Sequence, residues 1–248
     1  MEHFVVVNED TIDTLVVYLL DRSGSMADCL PQTISGFNEY IGSVRAGAKG
    51  NIRVTLKTFA SAGFLSTGPI TVSNAGDIQT IFDMVKLEDV PALSEANYVP
   101  NGGTPLYDAI GDTIAATDFQ LSRLAVRPNV FFVVQTDGGE NSSTKYLKSA
   151  INTLISARSE AGWTFVYLGA NQDSWSETQG LGFSQGNVRN YNVGNSQAMF
   201  AGLGSSTAMY ATASSAARIA GQNYGSKSVF EDAGITQEAL LGEEEKTA

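Results

Sequence analysis

Runs of apolar residues along the chain predict two kinds of strand, fully buried and half-exposed. Leu15–Leu20 and Val130–Val134 are continuous runs of aliphatic, β-branched and aromatic residues, which is typical of strands buried on both faces at the centre of a parallel sheet. Trp163–Gly169 predicts a further strand. The segment 51–61 instead alternates apolar and polar residues, which predicts a half-exposed strand with FLSTGPITVS, at 64–73, as its hairpin partner.

Apolar positions three and four residues apart predict helices between these strands. One helix follows Pro31, and another contains Leu106, Ile110 and Ile114. We expect Thr104 to cap the second helix, because the proline after it suits a first helical turn. Four further helices are expected, at 76–87 (GDIQTIFDMVKL), about 143–161, 174–181 and 196–222.

The alternation of strands and helices predicts the fold class. We expect an α/β fold with a doubly wound, mostly parallel open sheet, helices on both faces and one antiparallel edge strand. NVRNYNV, at 187–193, is a candidate edge strand, and 88–103 is the longest loop. We divide the chain into an N-terminal leader (1–13), one domain (14–222) and an acidic C-terminal tail (223–248), whose end, GEEEKTA, we expect to be mobile.

Composition and charge narrow the classes of partner. The 248 residues are 43% hydrophobic and 17% charged, as in an ordinary soluble globular protein. A net charge of -11 repels phosphate groups, so we expect neither nucleic-acid nor membrane binding. Cys29 is the only cysteine, which excludes an internal disulfide and fits a reducing compartment. The N-terminus is acidic and its apolar runs are short, so we expect no signal peptide and no membrane span.

Two of the predicted buried strands lead into an aspartate. Asp21 follows the first run and Asp137 follows the second, and ligands gather at the carboxyl ends of strands in open α/β sheets. Ser23, Ser25 and Thr104 add hydroxyl groups on loops that can meet the same edge. Two carboxylates and three hydroxyls, without imidazole or thiolate, suit a hard divalent cation such as Mg²⁺.

Each of these residues also has a purely structural interpretation. Serine and aspartate in DRSGSM can form a turn that caps the next helix, and Asp137 can begin a turn with the two glycines after it. Asp108, Glu140 and Asn141 are close in sequence to the candidate ligands. We interpret these three as surface or capping residues rather than as groups that orient a metal ligand.

The three segments together resemble the metal-ion-dependent adhesion site (MIDAS) of the von Willebrand factor A (vWA) domain family. That site has the pattern Asp-x-Ser-x-Ser, then a distant threonine, then an aspartate followed by glycine; here these are DRSGSM, GGTPLYDAI and TDGGEN, and the resemblance covers roughly 14–222. It implies that Ser23, Ser25 and Thr104 contact Mg²⁺ or Mn²⁺, with Asp21 and Asp137 acting mostly through water. A partner protein's Asp or Glu would supply the remaining ligand.

The later part of the chain is similar to a bacterial and phage branch of this family. WTFVYLGANQD and the last helix, which is rich in small residues, carry that similarity. It implies a protein of the cytoplasm of a bacterial or phage-infected cell, free or within a larger particle. In the last helix we expect Met199, Phe200, Leu203, Met209 and Tyr210 to face the core, and we favour close packing within the domain over a homo-oligomer contact.

These observations predict a non-enzymatic, metal-dependent protein-binding module. The only histidine, His3, lies in the leader, which argues against histidine-based acid/base catalysis. One alternative is a structural or assembly protein of a phage or bacterial complex whose metal only stabilises the loops. A second alternative is a metal-dependent phosphoryl hydrolase. Haloacid-dehalogenase-like phosphatases need a second aspartate two residues after the first, where this chain has Ser23.

Overall fold

The computed structural model describes residues 11–61, 77–170, 174–192, 196–220, 222 and 224–235. The strands are β1 (Thr14–Asp21), β2 (Ile52–Ala60), β3 (Asp77–Lys86), β4 (Asn129–Thr136), β5 (Thr164–Ala170) and β6 (Val188–Tyr191). The α-helices are α1 (Leu30–Gly47), α2 (Leu106–Leu121), α3 (Lys148–Glu160), α4 (Ser174–Thr178), α5 (Ser196–Ile219) and α6 (Val229–Asp232). Short 3₁₀ helices span Gly24–Cys29, Leu87–Asp89 and Gln185–Asn187.

The strands form one sheet in the order β3-β2-β1-β4-β5-β6. β1 lies near the centre, between β2 and β4, and pairs in parallel with both. Among the strands of the described residues, only β2 and β3 pair in antiparallel fashion. The predicted α/β sheet, mostly parallel with one antiparallel edge strand, is confirmed.

Helices cover both faces of this sheet, as the two-sided burial of β1 requires. On one face, Tyr18 packs with Phe37 and Tyr40 of α1 and with Phe200 of α5 in a single core cluster. On the other face, Leu15, Val17 and Leu19 join residues of α2 and α3. Because successive side chains of a strand point to opposite faces, one apolar run supplies both cores.

The prediction of a helix in GDIQTIFDMVKL was wrong, because Asp77–Lys86 is the antiparallel edge strand β3. Leu56 pairs with Phe82 and Val54 pairs with Val85, so β3 holds one extra residue between these pairs. This β-bulge includes Met84, whose φ of 47° lies in the left-handed region. The predicted hairpin strand FLSTGPITVS lies outside the described residues.

Two predicted helix starts also differ from the structure. Pro105, not Thr104, occupies the position before α2, so the prediction of Thr104 as N-cap was wrong. The N–H groups of Tyr107 and Asp108, in the first turn of α2, donate instead to Glu140 Oε2 and Ser143 Oγ. α3 begins at Lys148 rather than near 143. The carboxylate of Asp108 accepts backbone N–H bonds from residues 144–146, which holds this segment as a loop against α2.

The last long helix, α5, packs closely against α1 within the domain, as predicted. A methyl group added to Gly204 would come within 2.4 Å of Ser43 Cβ, so only glycine permits this approach. Met199, Phe200, Leu203 and Tyr210 are buried. Met209 is 51% exposed, so its assignment to the core was wrong.

Residues 224–235, placed in the predicted tail, contact the body of the domain through α6. Phe230 is fully buried and Val229 nearly so. The end of the chain, GEEEKTA, lies outside the described residues, as do residues 1–10 of the leader. None of the helices in the described part of the chain is long and apolar enough to span a membrane.

Candidate metal centre

The candidate ligands lie at the carboxyl edge of the sheet, next to its centre. β1 ends at Asp21, and Asp137 follows the last residue of the neighbouring strand β4. Asp21 is fully buried, whereas Asp137 is partly exposed. The loop after β1 places Ser23 in a buried position and Ser25 in an exposed one.

A continuous path of hydrogen bonds joins four of the five predicted residues. The Ser25 hydroxyl donates to Asp137 Oδ1 at 2.8 Å. Ser25 Oγ and Ser23 Oγ are 3.2 Å apart, and the Ser23 backbone N–H donates to Asp21 Oδ1 at 2.6 Å. The structure therefore brings two carboxylates and two hydroxyls from separate parts of the sequence into one cluster.

The fifth residue, Thr104, borders the same cluster. Its Oγ1 and the Oγ of Ser25 lie 3.9 Å and 4.0 Å from the point where a Cβ on Gly138 would stand. Thr104 is only 2% exposed. Asn141 fixes its backbone, since the Thr104 N–H donates to Asn141 Oδ1 at 2.8 Å and the Asn141 N–H donates to the Thr104 carbonyl at 3.1 Å.

Two residues of this centre were missed by sequence reasoning. The hydroxyl of Thr136 donates to Asp21 Oδ2 at 2.6 Å and accepts the Gly138 N–H at 3.1 Å. The hydroxyl of Tyr98 donates to the Asp21 carbonyl at 2.5 Å. The position of Thr136, one residue before Asp137, was the only signal for it, and nothing near Tyr98 in the sequence marks its contact.

Backbone hydrogen bonds tie the loops of the centre to one another. The Gly24 N–H donates to the Gly102 carbonyl at 2.9 Å, and the Asn101 N–H donates to the Arg22 carbonyl at 2.7 Å. The Gly103 N–H donates to Ser61 Oγ at 2.8 Å. The loop that carries Thr104 is therefore held against the loop that carries Ser23 and Ser25.

Two acidic residues beside the centre, Glu140 and Asp108, accept hydrogen bonds from the backbone. Glu140 accepts N–H bonds from Ser142, Ser143 and Tyr107 at 2.6 to 2.9 Å. Asp108 likewise accepts three backbone N–H groups from the loop before α3. These contacts favour the structural interpretation of Glu140 and Asp108. Asn141 differs, because it positions a candidate ligand.

Burial raises the pKa of both carboxyl groups. The pKa of Asp21 rises to about 6, although hydrogen bonds from Thr136 and Ser23 oppose the shift. Burial also raises the pKa of Asp137, and the Ser25 hydroxyl opposes it. In the part of the chain that the structure describes, neither carboxylate forms an ion pair with a lysine or arginine. A buried carboxylate without a basic partner is costly unless a proton or a cation neutralises it.

The donor set fits a hard divalent cation bound largely by neutral oxygens. Among the described residues, no group of three or more His, Cys, Asp and Glu side chains is placed to hold a metal ion. The present cluster has only two carboxylates, so the serine and threonine hydroxyls complete its oxygen donors. Mg²⁺ and Mn²⁺ accept carboxylate, hydroxyl and water ligands.

Comparison with known proteins bears on the fold. No protein-family model matches the chain, and no curated protein matches it in sequence. The pilus adhesin SpaC from Lactobacillus rhamnosus GG, in its open conformation, matches 79% of this chain with a TM-score of 0.57 and 13% identity. The chain has a vWA-like fold.

Two further solved structures share this vWA-like fold. Proximal thread matrix protein 1 from the mussel byssus matches 78% of the chain with a TM-score of 0.52 and 13% identity. A von Willebrand factor type A protein from Catenulispora acidiphila matches 78% with a TM-score of 0.50 and 12% identity. The matched regions cover 30% of the SpaC chain, 47% of the mussel chain and 42% of the Catenulispora chain.

Proposed function

We propose that this chain is a non-enzymatic protein-binding module that uses Mg²⁺ or Mn²⁺ to recognise an acidic side chain of a partner. The cation is held by Asp21, Ser23, Ser25, Thr104 and Asp137. The observation that carries the proposal is the hydrogen-bonded cluster of Asp21, Ser23, Ser25 and Asp137, which two separate segments build at the carboxyl edge of the sheet. Thr104, from a third segment, borders this cluster.

The direct ligands in this proposal are the hydroxyls of Ser23, Ser25 and Thr104. Asp21 and Asp137 lie behind them and act mostly through water. Because neutral hydroxyls leave the cation with much of its positive charge, the bound ion supplies attraction for a carboxylate. The hydrogen bonds from Thr136 and Ser23 keep the Asp21 carboxylate oriented toward the cluster.

The fold similarity to an adhesin and a matrix protein supports a binding role over an enzymatic one. For the hydrolase alternative, haloacid-dehalogenase-like phosphatases need a second aspartate, as acid/base, two residues after the position of Asp21. Ser23 stands there instead, and its hydroxyl lies beside Ser25. The assembly alternative shares the metal site with our proposal and differs in whether the ion contacts the partner.

The first test is calorimetric titration of chelator-treated protein with Mg²⁺ and Mn²⁺. We expect saturable binding to the wild type and none to the double variant Ser23→Ala/Ser25→Ala, because two of the three direct ligands are lost. Thr104→Ser serves as the matched control, since it keeps the hydroxyl and should still bind. Equal binding of the cations by the wild type and the double variant would contradict the proposed site.

A second measurement separates recognition from a structural role of the metal. Surface-immobilised peptides that contain a single glutamate are compared with matched peptides that contain glutamine, in Mg²⁺ and in chelator. We expect the wild type to bind the glutamate peptides only in Mg²⁺, and Asp21→Ala/Thr104→Ala to bind neither kind. Metal binding without any preference for glutamate would favour the assembly alternative.

A further inference from the structure

A cavity lies at the amino ends of β4 and β5, at the edge of the sheet opposite the candidate metal centre. It has a volume of about 560 Å³, which is within the range of small-molecule sites in proteins. The ends of α2 and α3 and the residues just before β4 and β5 enclose it. We call it the basal cavity, and its lining includes Asp118, Leu121, Arg127, Val130, Arg158 and Trp163.

Apolar side chains form part of the lining of the basal cavity. Leu121 and Val130 belong to the core that the sheet shares with α2 and α3. The Trp163 ring stacks on Phe132 and Phe165, and it is 8% exposed. A ring that is anchored in the core therefore still borders the cavity, and such a surface suits the apolar body of a small molecule.

Two arginines give this cavity its charge. Arg158, in the last turn of α3, donates from Nε and Nη2 to the Asp118 carboxylate at 2.6 to 2.9 Å. Asp118 is the one carboxylate in the described lining. Arg127 is exposed, and its guanidinium forms no hydrogen bond or ion pair with the part of the chain that the structure describes. The lining therefore carries one more positive charge than negative.

This excess of positive charge stands in contrast to the chain as a whole, which has 26 acidic and 15 basic residues. The position of Arg158 has a structural explanation, because it pairs with Asp118 and a cation in the last turn of a helix interacts favourably with the helix dipole. Arg127 lies in the loop between α2 and β4, where neither explanation applies. Its planar set of N–H donors matches the two oxygens of a carboxylate or phosphate group.

We propose that the basal cavity binds a small organic anion, with its carboxylate or phosphate group on Arg127 and its apolar body against Trp163. Asp118 repels an anion that approaches Arg158, so Arg127 makes the main contact with the charged group. The cavity and the candidate metal centre lie at opposite edges of the sheet. The site therefore does not depend on whether a metal ion binds.

The two tryptophans of the chain allow a direct test by NMR. Trp163 lines the cavity, whereas Trp175 lies on α4, which follows the carboxyl end of β5, and is 37% exposed. The two indole N–H signals of the isotope-labelled full chain are followed during titration with benzoate and with phenyl phosphate, in chelator and at physiological ionic strength. Trp175→Phe assigns the signals, and benzamide is the uncharged control for benzoate.

We expect at least one of the two anions to shift the Trp163 signal saturably and to leave the Trp175 signal in place. The tighter of the two identifies the charged group that the cavity prefers. Arg127→Gln should weaken binding by about tenfold or more, because a charged hydrogen-bond donor is lost. Arg123→Gln is the matched control, since Arg123 is also exposed but lies over the Phe119 ring and outside the lining. Its binding should be unchanged.

Three results would overturn the proposal. The first is a Trp163 signal that neither anion shifts. The second is binding of benzamide as tight as that of benzoate, because the charge would then not be recognised. The third is equal binding by Arg127→Gln and Arg123→Gln, because the contact with Arg127 would then have no specific role.

Discussion

Burial and hydrogen bonding have opposite effects on the pKa of the Asp21 carboxyl group. Its side chain is fully buried, which raises its pKa, while hydrogen bonds from Ser23 and Thr136 stabilise the charged form. Because burial dominates, the metal-free native state holds this proton more tightly than the unfolded chain does. A bound divalent cation would instead favour the charged form of the Asp21 carboxyl group. The pH and the metal therefore act on the same group.

This balance predicts how the stability of metal-free protein depends on pH. Asp21 has an ordinary pKa of 3.8 when unfolded and about 6 when folded, so the free energy of unfolding falls as the pH rises through this window and then levels off. The contribution of this group is roughly 3 kcal/mol, at 1.36 kcal/mol for each pKa unit. Urea unfolding at pH 4 to 7 in chelator measures the effect.

Asp21→Asn is the matched variant for this measurement. The amide has the shape of the carboxyl group, and its Nδ2 can donate to Thr136 Oγ1 while its Oδ1 accepts the Ser23 N–H. We expect the free energy of unfolding of the wild type, relative to this variant, to decrease between pH 4 and 7 in chelator. Saturating Mg²⁺ should remove the decrease from the wild type. Parallel curves for both proteins in chelator would contradict the buried-charge explanation.

At the scale of the element, β3 explains where sequence reasoning failed. Ile78, Ile81, Phe82 and Val85 are spaced three and four apart, as on an amphipathic helix. The bulge near Met84 inserts one residue of β3 between the pairs made by Phe82 and Val85, and a second irregularity inserts one residue between the pairs made by Thr80 and Phe82. A bulge shifts the alternation of a strand by one position, so Phe82 and Val85 pack against the same core despite their odd spacing.

The central strands and the candidate ligands were predictable for a physical reason. A run as apolar as that of β1 or β4 is typical of a buried strand. A carboxylate at the end of such a run is conspicuous because it is charged. Thr136 and Tyr98 did not stand out, because each meets Asp21 across more than 70 positions of sequence. The Tyr98 contact is to a backbone carbonyl, which no side-chain pattern records.

The packing of α5 on α1 gives a prediction at the same scale. A methyl group on Gly204 would lie 2.4 Å from Ser43 Cβ and 2.9 Å from the Tyr40 carbonyl oxygen. We therefore expect Gly204→Ala to lower the free energy of unfolding by about 1–3 kcal/mol, because the helices must separate. Urea unfolding followed by circular dichroism measures the change.

Gly42→Ala is the control for helix propensity. Gly42 lies in the interior of α1, and an added methyl group there meets no atom within 4 Å. Alanine should therefore stabilise the protein by about 0.5–1 kcal/mol. If both variants shifted stability in the same direction, the close helix contact would not be the reason for glycine at 204.

At the scale of the whole molecule, the C-terminal segment (224–235) packs against the edge of the sheet formed by β6. The Val229 N–H donates to Asn187 Oδ1 at 2.8 Å, next to the start of β6. The guanidinium of Arg189, a residue of β6, lies 4.6 Å from the centre of the Phe230 ring. The Tyr224 ring also contacts Tyr210 of α5. The described part of the predicted tail therefore belongs to the packed body, which composition alone did not reveal.

Substitution of Phe230 tests this role of the C-terminal segment. Phe230→Ala removes a fully buried ring from the core that α1, α5 and the sheet share, so we expect a loss of about 3–5 kcal/mol in the free energy of unfolding. Phe119→Ala is the matched control, because that ring is 66% exposed and its loss should change the free energy by less than about 0.5 kcal/mol. Equal urea midpoints for the two variants would mean that the domain is complete without this segment. A lower midpoint for Phe230→Ala alone, with an unchanged denaturant slope, would place the boundary of the cooperative unit beyond α6.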